Sequence, residues 1–336
     1  MKKQYLNILL IFLFASCCLI CQVQADDNSD LKDRLLREAI PAWKDLKKKS
    51  DNLTYEISEN RDDIKITTNR DHAISKYRLS IKGNNMLECA FSDNGDGTVM
   101  ENYRCRNKKY YFEIDRAKQT KSWSMNNFIF SGTSDYEKEV FSSYYIASVA
   151  WSILGIPMMD IVNEPSFEIK SFSTEKNEEN DELITLTFTL KDNKLQERFF
   201  NELQLGVVKF NVTKNWIILS YELSSYANDD KRNYHYQGKC ECEYDFSRGT
   251  PYIKTRKYTL FREKADIKNV TWIANILSIE PCTLKNNDFT LSAFGLAEPN
   301  DETSHHKIIR YVLCIIGLII ILASLIRMHI KRKLKN

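Results

Sequence analysis

Cysteine spacing is the feature of this chain that most directly suggests chemistry. Of nine cysteines, Cys17, Cys18 and Cys21 fall in an N-terminal apolar region and Cys314 in a C-terminal one. Cys89, Cys105, Cys240, Cys242 and Cys282 lie in the body between. Outside the cytoplasm such thiols oxidise, so disulfides are the expected chemistry. Cys89 and Cys105 flank a turn at 92–98, which makes a local bridge easy to close. Cys240 and Cys242 are two residues apart, so on a strand both take one face. Either is a candidate partner for Cys282, which leaves one thiol over. The competing reading is zinc. It needs four ligands in tight geometry, and this C-x-C has no neighbouring His pair.

Other motifs are weaker. Asp93-Asn94-Gly95-Asp96-Gly97 hints at a calcium loop. Aligning Gly97 with the loop glycine puts Ser92 and Tyr103 where Asp and a bidentate Glu belong, so a plain turn is the better reading. The five histidines show no ligand spacing, and no nucleophile elbow, phosphate loop or dinucleotide fingerprint occurs. The expectation is a protein that is not an enzyme and takes no metal or cofactor. Asn52, Asn211 and Asn269 open glycosylation sequons. Tyr144, Tyr145, Trp151 and Trp216 are aromatics that would pack an ordinary core or line an apolar cavity.

Strands must position most of these residues. One amphipathic helix comes first, with Leu31, Leu35, Ala39, Trp43 and Leu46 at helical spacing. Asp30 is its expected cap, and Pro41 is expected to kink it or to start a second turn. Alternating apolar positions follow at Leu53, Tyr55 and Ile57, at Ile64 and Ile66, and at Tyr77, Leu79 and Ile81. Gly83-Asn84-Asn85 reads as a hairpin turn. Further strands are expected at 86–91, 110–114 and 128–130. A capping box at Ser134 to Glu137 introduces a second helix over 140–154, apolar on nearly every side and closed by Gly155 and Pro157. Strand patterns resume at 167–172, 183–190, 207–212, 216–223, 239–246, 252–261 and 270–279. Repeated hairpins with few crossover helices imply antiparallel pairing. The expected fold is α+β, a strongly curved antiparallel sheet forming a half-barrel around one or two helices, plus one C-terminal transmembrane helix.

The ends set the expected address. Lys2 and Lys3 precede an apolar run at 6–14, and Val23-Gln24-Ala25 gives small residues at −3 and −1. Residues 1–25 therefore read as a signal peptide cleaved after Ala25. Phe14-Ala15-Ser16-Cys17 approximates a lipobox, which would lipidate Cys17 instead. Residues 311–326 carry no charge, and Arg327, Lys331, Arg332, Lys333 and Lys335 follow. The expected layout is a body at 26–297, a polar stalk at 298–307, a transmembrane helix at 308–327 and a basic cytoplasmic tail at 328–336. The body would lie in the periplasm or on the extracellular side of the cell membrane. Of the 336 residues, 48 are Lys or Arg and 45 Asp or Glu, a net charge of +3. Residues 26–306 hold 39 basic residues against all 45 acids, a net of −6. A basic nucleic-acid surface is therefore not expected.

The order of signal peptide, amphipathic helix, meander, buried helix and second meander resembles the LolA/LolB/LppX-like superfamily. Residues 288–299 (DFTLSAFGLAEP), before a stalk and membrane helix, look like the F-x-L-S-x-[FY]-G-L-P-E-P terminus of a group of secreted or anchored planctomycete proteins. Tyr244-Asp245-Phe246 with Gly249-Thr250-Pro251-Tyr252-Ile253-Lys254 is similar to that group's late hairpin. Ala297 stands where the group has Pro. The resemblance implies a half-barrel with helices as a lid over a hydrophobic cavity. It implies no activity, and a tethered chain is not a free lipoprotein shuttle. The functional expectation is a membrane-tethered binding module holding a lipid or other apolar ligand. The alternative is a structural or protein-interaction domain with a filled core. Phe289, Leu291 and Phe294 are expected to dock the segment before the stalk, with Gly295 relaxing the backbone.

Overall fold

The computed structural model describes residues 29–61, 75–93, 99–133, 142–190, 202–229, 232–262 and 269–299. The signal peptide, Cys17, the capping box at 134–137, the strand expected at Ile64 and Ile66, and the segment 308–327 lie outside them. Among the described residues no helix is long and apolar enough to cross a membrane. The chain divides into two compact units, 1–289 and 290–336.

The first unit opens with a helix whose latter part is α1 (Ile40–Ser50). Just before it, Leu35–Ala39 is π-helical, with the Ile40 N–H reaching back to the Leu35 carbonyl. The widened turn is how the helix accommodates Pro41, which lacks an N–H and would crowd the preceding turn. Asp30, the expected cap, already lies inside the helix. Leu31, Leu35, Ala39, Trp43 and Leu46 form one buried stripe, as their spacing predicts.

Six strands follow as a meander: β1 (Leu53–Arg61), β2 (Ser75–Lys82), β3 (Asn85–Asp93), β4 (Val99–Arg106), β5 (Tyr110–Ala117) and β6 (Ser124–Phe130). The turn between β2 and β3 is tight, and Gly83 takes φ +59° there, a conformation that favours glycine. Next come α2 (Ser142–Ser148), a two-strand hairpin of β7 (Ser152–Ile153) and β8 (Ile156–Pro157), and α3 (Met158–Val162). A second meander completes the sheet: β9 (Phe167–Lys176), β10 (Glu182–Leu190), β11 (Glu202–Asn211), β12 (Ile217–Asp229), β13 (Arg232–Asp245), β14 (Tyr252–Arg262) and β15 (Val270–Pro281).

All thirteen long strands join one antiparallel sheet, in the order β6-β5-β4-β3-β2-β1-β15-β14-β13-β12-β11-β10-β9. Every neighbour is a sequential hairpin partner except β1 and β15, which zip the two meanders together at Leu53↔Pro281 through Arg61↔Trp272. The sheet is open, with β6 and β9 at its edges. The expected α+β class and antiparallel pairing hold, while the sheet is neither closed nor strongly curled.

The helix expected over 140–154 is shorter than its apolar run implies. The α-helix ends at Ser148, and Leu154 and Gly155 both take positive φ to turn the β7–β8 hairpin. Ser152 helps stop it by donating its hydroxyl to the Ser148 carbonyl at 2.7 Å. The polar segment at 227–233 pairs as the tip of the β12–β13 hairpin, to Asp229↔Arg232.

The helices cover one face of the sheet. Trp43, Trp151 and Trp216 are buried there with Ile57, Leu79, Phe188 and Phe210. Their rings meet one another: Trp43–Phe210 centroids lie 5.7 Å apart and Phe210–Trp216 6.0 Å. Trp43 Nε1 donates to the Trp216 carbonyl at 2.8 Å. Arg34 grips Glu182 with two bonds of 2.6 and 2.8 Å and stacks 5.3 Å over Trp216. The opposite face has a smaller buried group, Cys105, Tyr110, Phe112 and Ile114, with Phe289 fully buried near it. Asn107 Nδ2 and the Cys105 thiol both donate to the Phe289 carbonyl, at 2.7 and 3.2 Å. The expected docking of Phe289 is therefore made. In the second unit Leu291 is buried, Phe294 is half-buried, and Gly295 ends a short 3-10 turn at φ +72°.

Candidate functional site

Alternation along β1, β2 and β3 turns Tyr55, Ile57, Leu79 and Ile81 to the helix side. Thr54, Glu56, Arg78, Ser80, Leu87, Cys89 and Phe91 then face the other way. On that open face they line a groove of about 630 Å3, bounded by Leu277, Pro281 and Leu284 at the end of β15. Lys82 Nζ holds the Leu284 carbonyl at 2.6 Å and so fixes the groove's wall. Thr54 and Ser80 share a hydroxyl contact of 3.1 Å across the floor. Phe91 and Leu277 stand 49% and 56% exposed, unusual for large apolar groups on paired strands. At the rim Arg78 donates to Glu56 at 2.8 Å, and that bond holds the Glu56 carboxyl below its usual range. Burial pushes the Cys89 thiol up by more than the Tyr103 hydroxyl draws it down, so it is a neutral apolar group. The groove is mostly apolar with a few placed polar groups and one ion pair, the usual make-up of a small-ligand site.

A second constellation lies on the helix side of the sheet. Cys240 and Cys242 bring their sulfurs to 3.8 Å, Cys240 fully buried and Cys242 half-buried. Tyr221 and Tyr258 stand opposite Cys240, and Arg256 opposite Cys242. Tyr244, next on the same face of β13, donates to the Ile218 carbonyl at 2.6 Å. Arg256 is 7% exposed and its Nε has no hydrogen-bond partner. Burial would lower the guanidinium, but the facing Cys240, Tyr221, Glu59 and Cys242 hold it raised. Burial pushes the Cys240 thiol up, yet the bond with Cys242, the charge of Arg256 and the Tyr221 hydroxyl together bring it below its ordinary value. Cys242 goes the other way, raised by burial and by its neighbour. Burial also raises Tyr221, Tyr244 and Tyr258, the last to about 12. Of the two thiols, Cys240 is therefore the one whose ionised form is favoured, and the charge of Arg256 contributes to that.

All five body cysteines are free thiols in this structure. The β3–β4 register sets Cys89 opposite Tyr103 and Cys105 opposite Leu87, so the two are diagonal neighbours. Diagonal pairs stand roughly 7–8 Å apart, beyond the reach of an undistorted bridge. Cys105 is moreover engaged with Phe289. Cys282 follows β15, eight residues beyond Ala274, the partner of Arg256. At about 3.3 Å per residue, that puts it roughly 25 Å from Cys240 and Cys242, well outside bridging distance.

The aromatic candidates divide. Trp151 and Trp216 are packed on the helix side, Tyr145 is half-buried near Tyr258, and the Tyr144 side chain lies outside the described residues. None of these lines the groove. Of the calcium-like loop, Asp93 ends β3 and residues 94–97 lie outside the described residues. Asn211 is 5% exposed and donates to Asp181 at 3.0 Å, so its sequon is closed to a glycan in the folded chain. Sequence reasoning missed Arg256 and the tyrosines around the thiols. Period two already aligned Arg256 with Tyr258 and Cys240 with Cys242, but only the register shows that the rows face each other. The fold and these two sites define an α+β protein built on one broad antiparallel sheet. No protein-family model matches the chain, and no characterised protein matches it significantly.

Proposed function

We propose that this chain is a membrane-tethered, extracytoplasmic, non-enzymatic binding module that holds an apolar or amphipathic ligand in the groove on the open face of its sheet. The groove itself supports this reading. It has room for a small ligand, an apolar floor at Leu87 and Cys89, and two large apolar side chains left exposed at Phe91 and Leu277. The border carries Lys76 and Arg78 against Glu56 and Glu280, a balance of charge that suits a neutral or zwitterionic head group. The LolA-like likeness enters the same proposal only as an antiparallel sheet with helices on one face, with the ligand moved from the helix side to the open face. On the helix side, aromatic rings pack against each other. The membrane address rests on the N-terminal leader and on residues 308–327.

Native mass spectrometry on residues 26–306, exported to a bacterial periplasm, tests the reading. A lipid-sized adduct lost on solvent extraction, and lost in Phe91→Asp and Leu277→Asp, is the expected result. A clean apo mass with no uptake of added lipid sinks it. The second reading, docking of a protein partner, is favoured by the exposure of Phe91 and Leu277. It predicts capture of a partner protein that the same two variants abolish.

A further inference from the structure

We propose that Cys240 and Cys242 are a reversible redox pair, closing to a disulfide across one residue of β13 when a disulfide oxidant is supplied, with Arg256 favouring the open dithiol. The inference does not depend on what occupies the groove. Three observations carry it. The register removes the competing pairings, because Cys282 lies far along β15 and Cys89 and Cys105 lie on other strands. The two sulfurs already sit 3.8 Å apart on one face. Arg256, nine-tenths buried directly opposite Cys242, has an unpartnered Nε and makes no ion pair with a described carboxylate.

A guanidinium taken out of water needs a nearby anion to offset its burial. A thiolate at Cys240, the thiol whose ionised form is favoured, supplies one. Glu59, which accepts the Tyr77 hydroxyl at 2.7 Å, also faces Arg256 and is a second anion near it. Two residues on a strand span about 6.7 Å between Cα atoms, at the upper end of what a disulfide tolerates. Closure is therefore reachable and easily reversed.

The step balances. Cys242, the more exposed sulfur, attacks an external disulfide RSSR after passing its proton to Cys240, and one RS⁻ leaves. Cys240 then attacks the Cys242 sulfur of the mixed disulfide and releases the second thiol as RSH, carrying the proton. One S–S bond breaks and one forms. The protein dithiol loses two electrons to RSSR, and the single negative charge ends on RS⁻. Oxidation therefore removes the thiolate beside Arg256, and this is why the charge favours the reduced form.

The test uses the full chain in detergent, equilibrated with mixtures of reduced and oxidised glutathione, then acid-quenched, alkylated and mapped by mass spectrometry. The expected product has lost two hydrogens, and its unalkylated cysteines are Cys240 and Cys242 in one peptide. It reverts in reduced glutathione, persists in Cys282→Ser and disappears in Cys242→Ser. Arg256→Met should reach half-oxidation at roughly tenfold less oxidised glutathione, a factor of ten being about 1.4 kcal/mol. Arg256→Lys, which keeps the charge, should stay near the native midpoint and covers the case in which the Met variant fails to fold. A bridge to Cys282, Cys89 or Cys105 overturns the proposal. So does the absence of any mass loss at every ratio. A folded Arg256→Met variant with an unmoved midpoint, or an Arg256→Lys variant shifted tenfold, overturns the role of the charge.

Discussion

Trp43 shows how much one residue can decide. Its ring fills the helix side of the sheet, and its indole N–H is the donor to the Trp216 carbonyl. Trp216 takes φ +57°, a left-handed conformation that a bulky residue holds only when its surroundings fix it. Replacing Trp43 by Phe keeps most of the apolar contact and leaves that buried carbonyl unpaired. The expected loss is about 1–3 kcal/mol, read by urea denaturation. Glycines give a second contrast. A Cβ on Gly206 would overlap the Phe188 ring directly across the strand pair, whereas one on Gly83 would meet nothing. Gly206→Ala should cost about 1–3 kcal/mol through overpacking. Gly83→Ala should cost less, through backbone strain alone, and the two thermal midpoints will rank them.

At the scale of elements, the first helix is fastened to the second meander by charge as well as by its apolar stripe. The Arg34 hydrogen bond lowers the Glu182 carboxyl below its usual value. A carboxylate depressed in the folded state adds stability above its unfolded value, near about 4.3, and loses it as pH falls through the folded value. The wild-type chain should therefore be more stable than Glu182→Gln at pH 7, with the gap closing as pH drops below about 4. Equilibrium unfolding of both chains at pH 7 and pH 3 measures it. A gap that is the same at both values would mean the charge contributes nothing.

The elements also show where sequence reading reached its limit. The helical stripe from Leu31 to Leu46 and the strands of the second meander were legible, because burial on one face imposes a period that no other structure reproduces. Strand β4 was not. Its VMENYRCR alternates weakly, since only Glu101 and Cys105 are buried and the rest are half-exposed. The run after Ser148 read as helix because it is apolar throughout, and a continuous apolar run fits helix and buried strand equally well. The positive φ at Leu154 and Gly155 then turned it into a hairpin.

For the whole molecule, the informative contact is the return of the chain after β15. Residues 282–289 come back over the open face and end with Phe289, whose carbonyl is held by Asn107 and Cys105. The same segment supplies Leu284 to the groove wall. Phe289→Ala should cost about 3–5 kcal/mol, as expected for an aromatic side chain with no exposed surface. It should also lower any ligand uptake by loosening the wall. Asn107→Ala should cost less, about 1–3 kcal/mol, through the lost bond. Denaturation curves for both, with native mass spectra, separate the packing effect from the binding effect.

By itself the sequence determined the local periods: one amphipathic helix, many alternating strands, an antiparallel class and the cysteines that share a strand face. These follow from backbone geometry and from burying one face, and both act within a dozen residues. The tertiary structure decided everything that depends on which strands are neighbours. Pairing β1 with β15 makes one open thirteen-strand sheet. It also puts the groove on the face away from the helices. The registers of the β13–β14 and β14–β15 hairpins place Arg256 across from the thiols and Cys282 away from them. The β1–β15 register joins residues more than 200 positions apart, and each hairpin register depends on how two strands meet, so no pattern within a single segment carries that information.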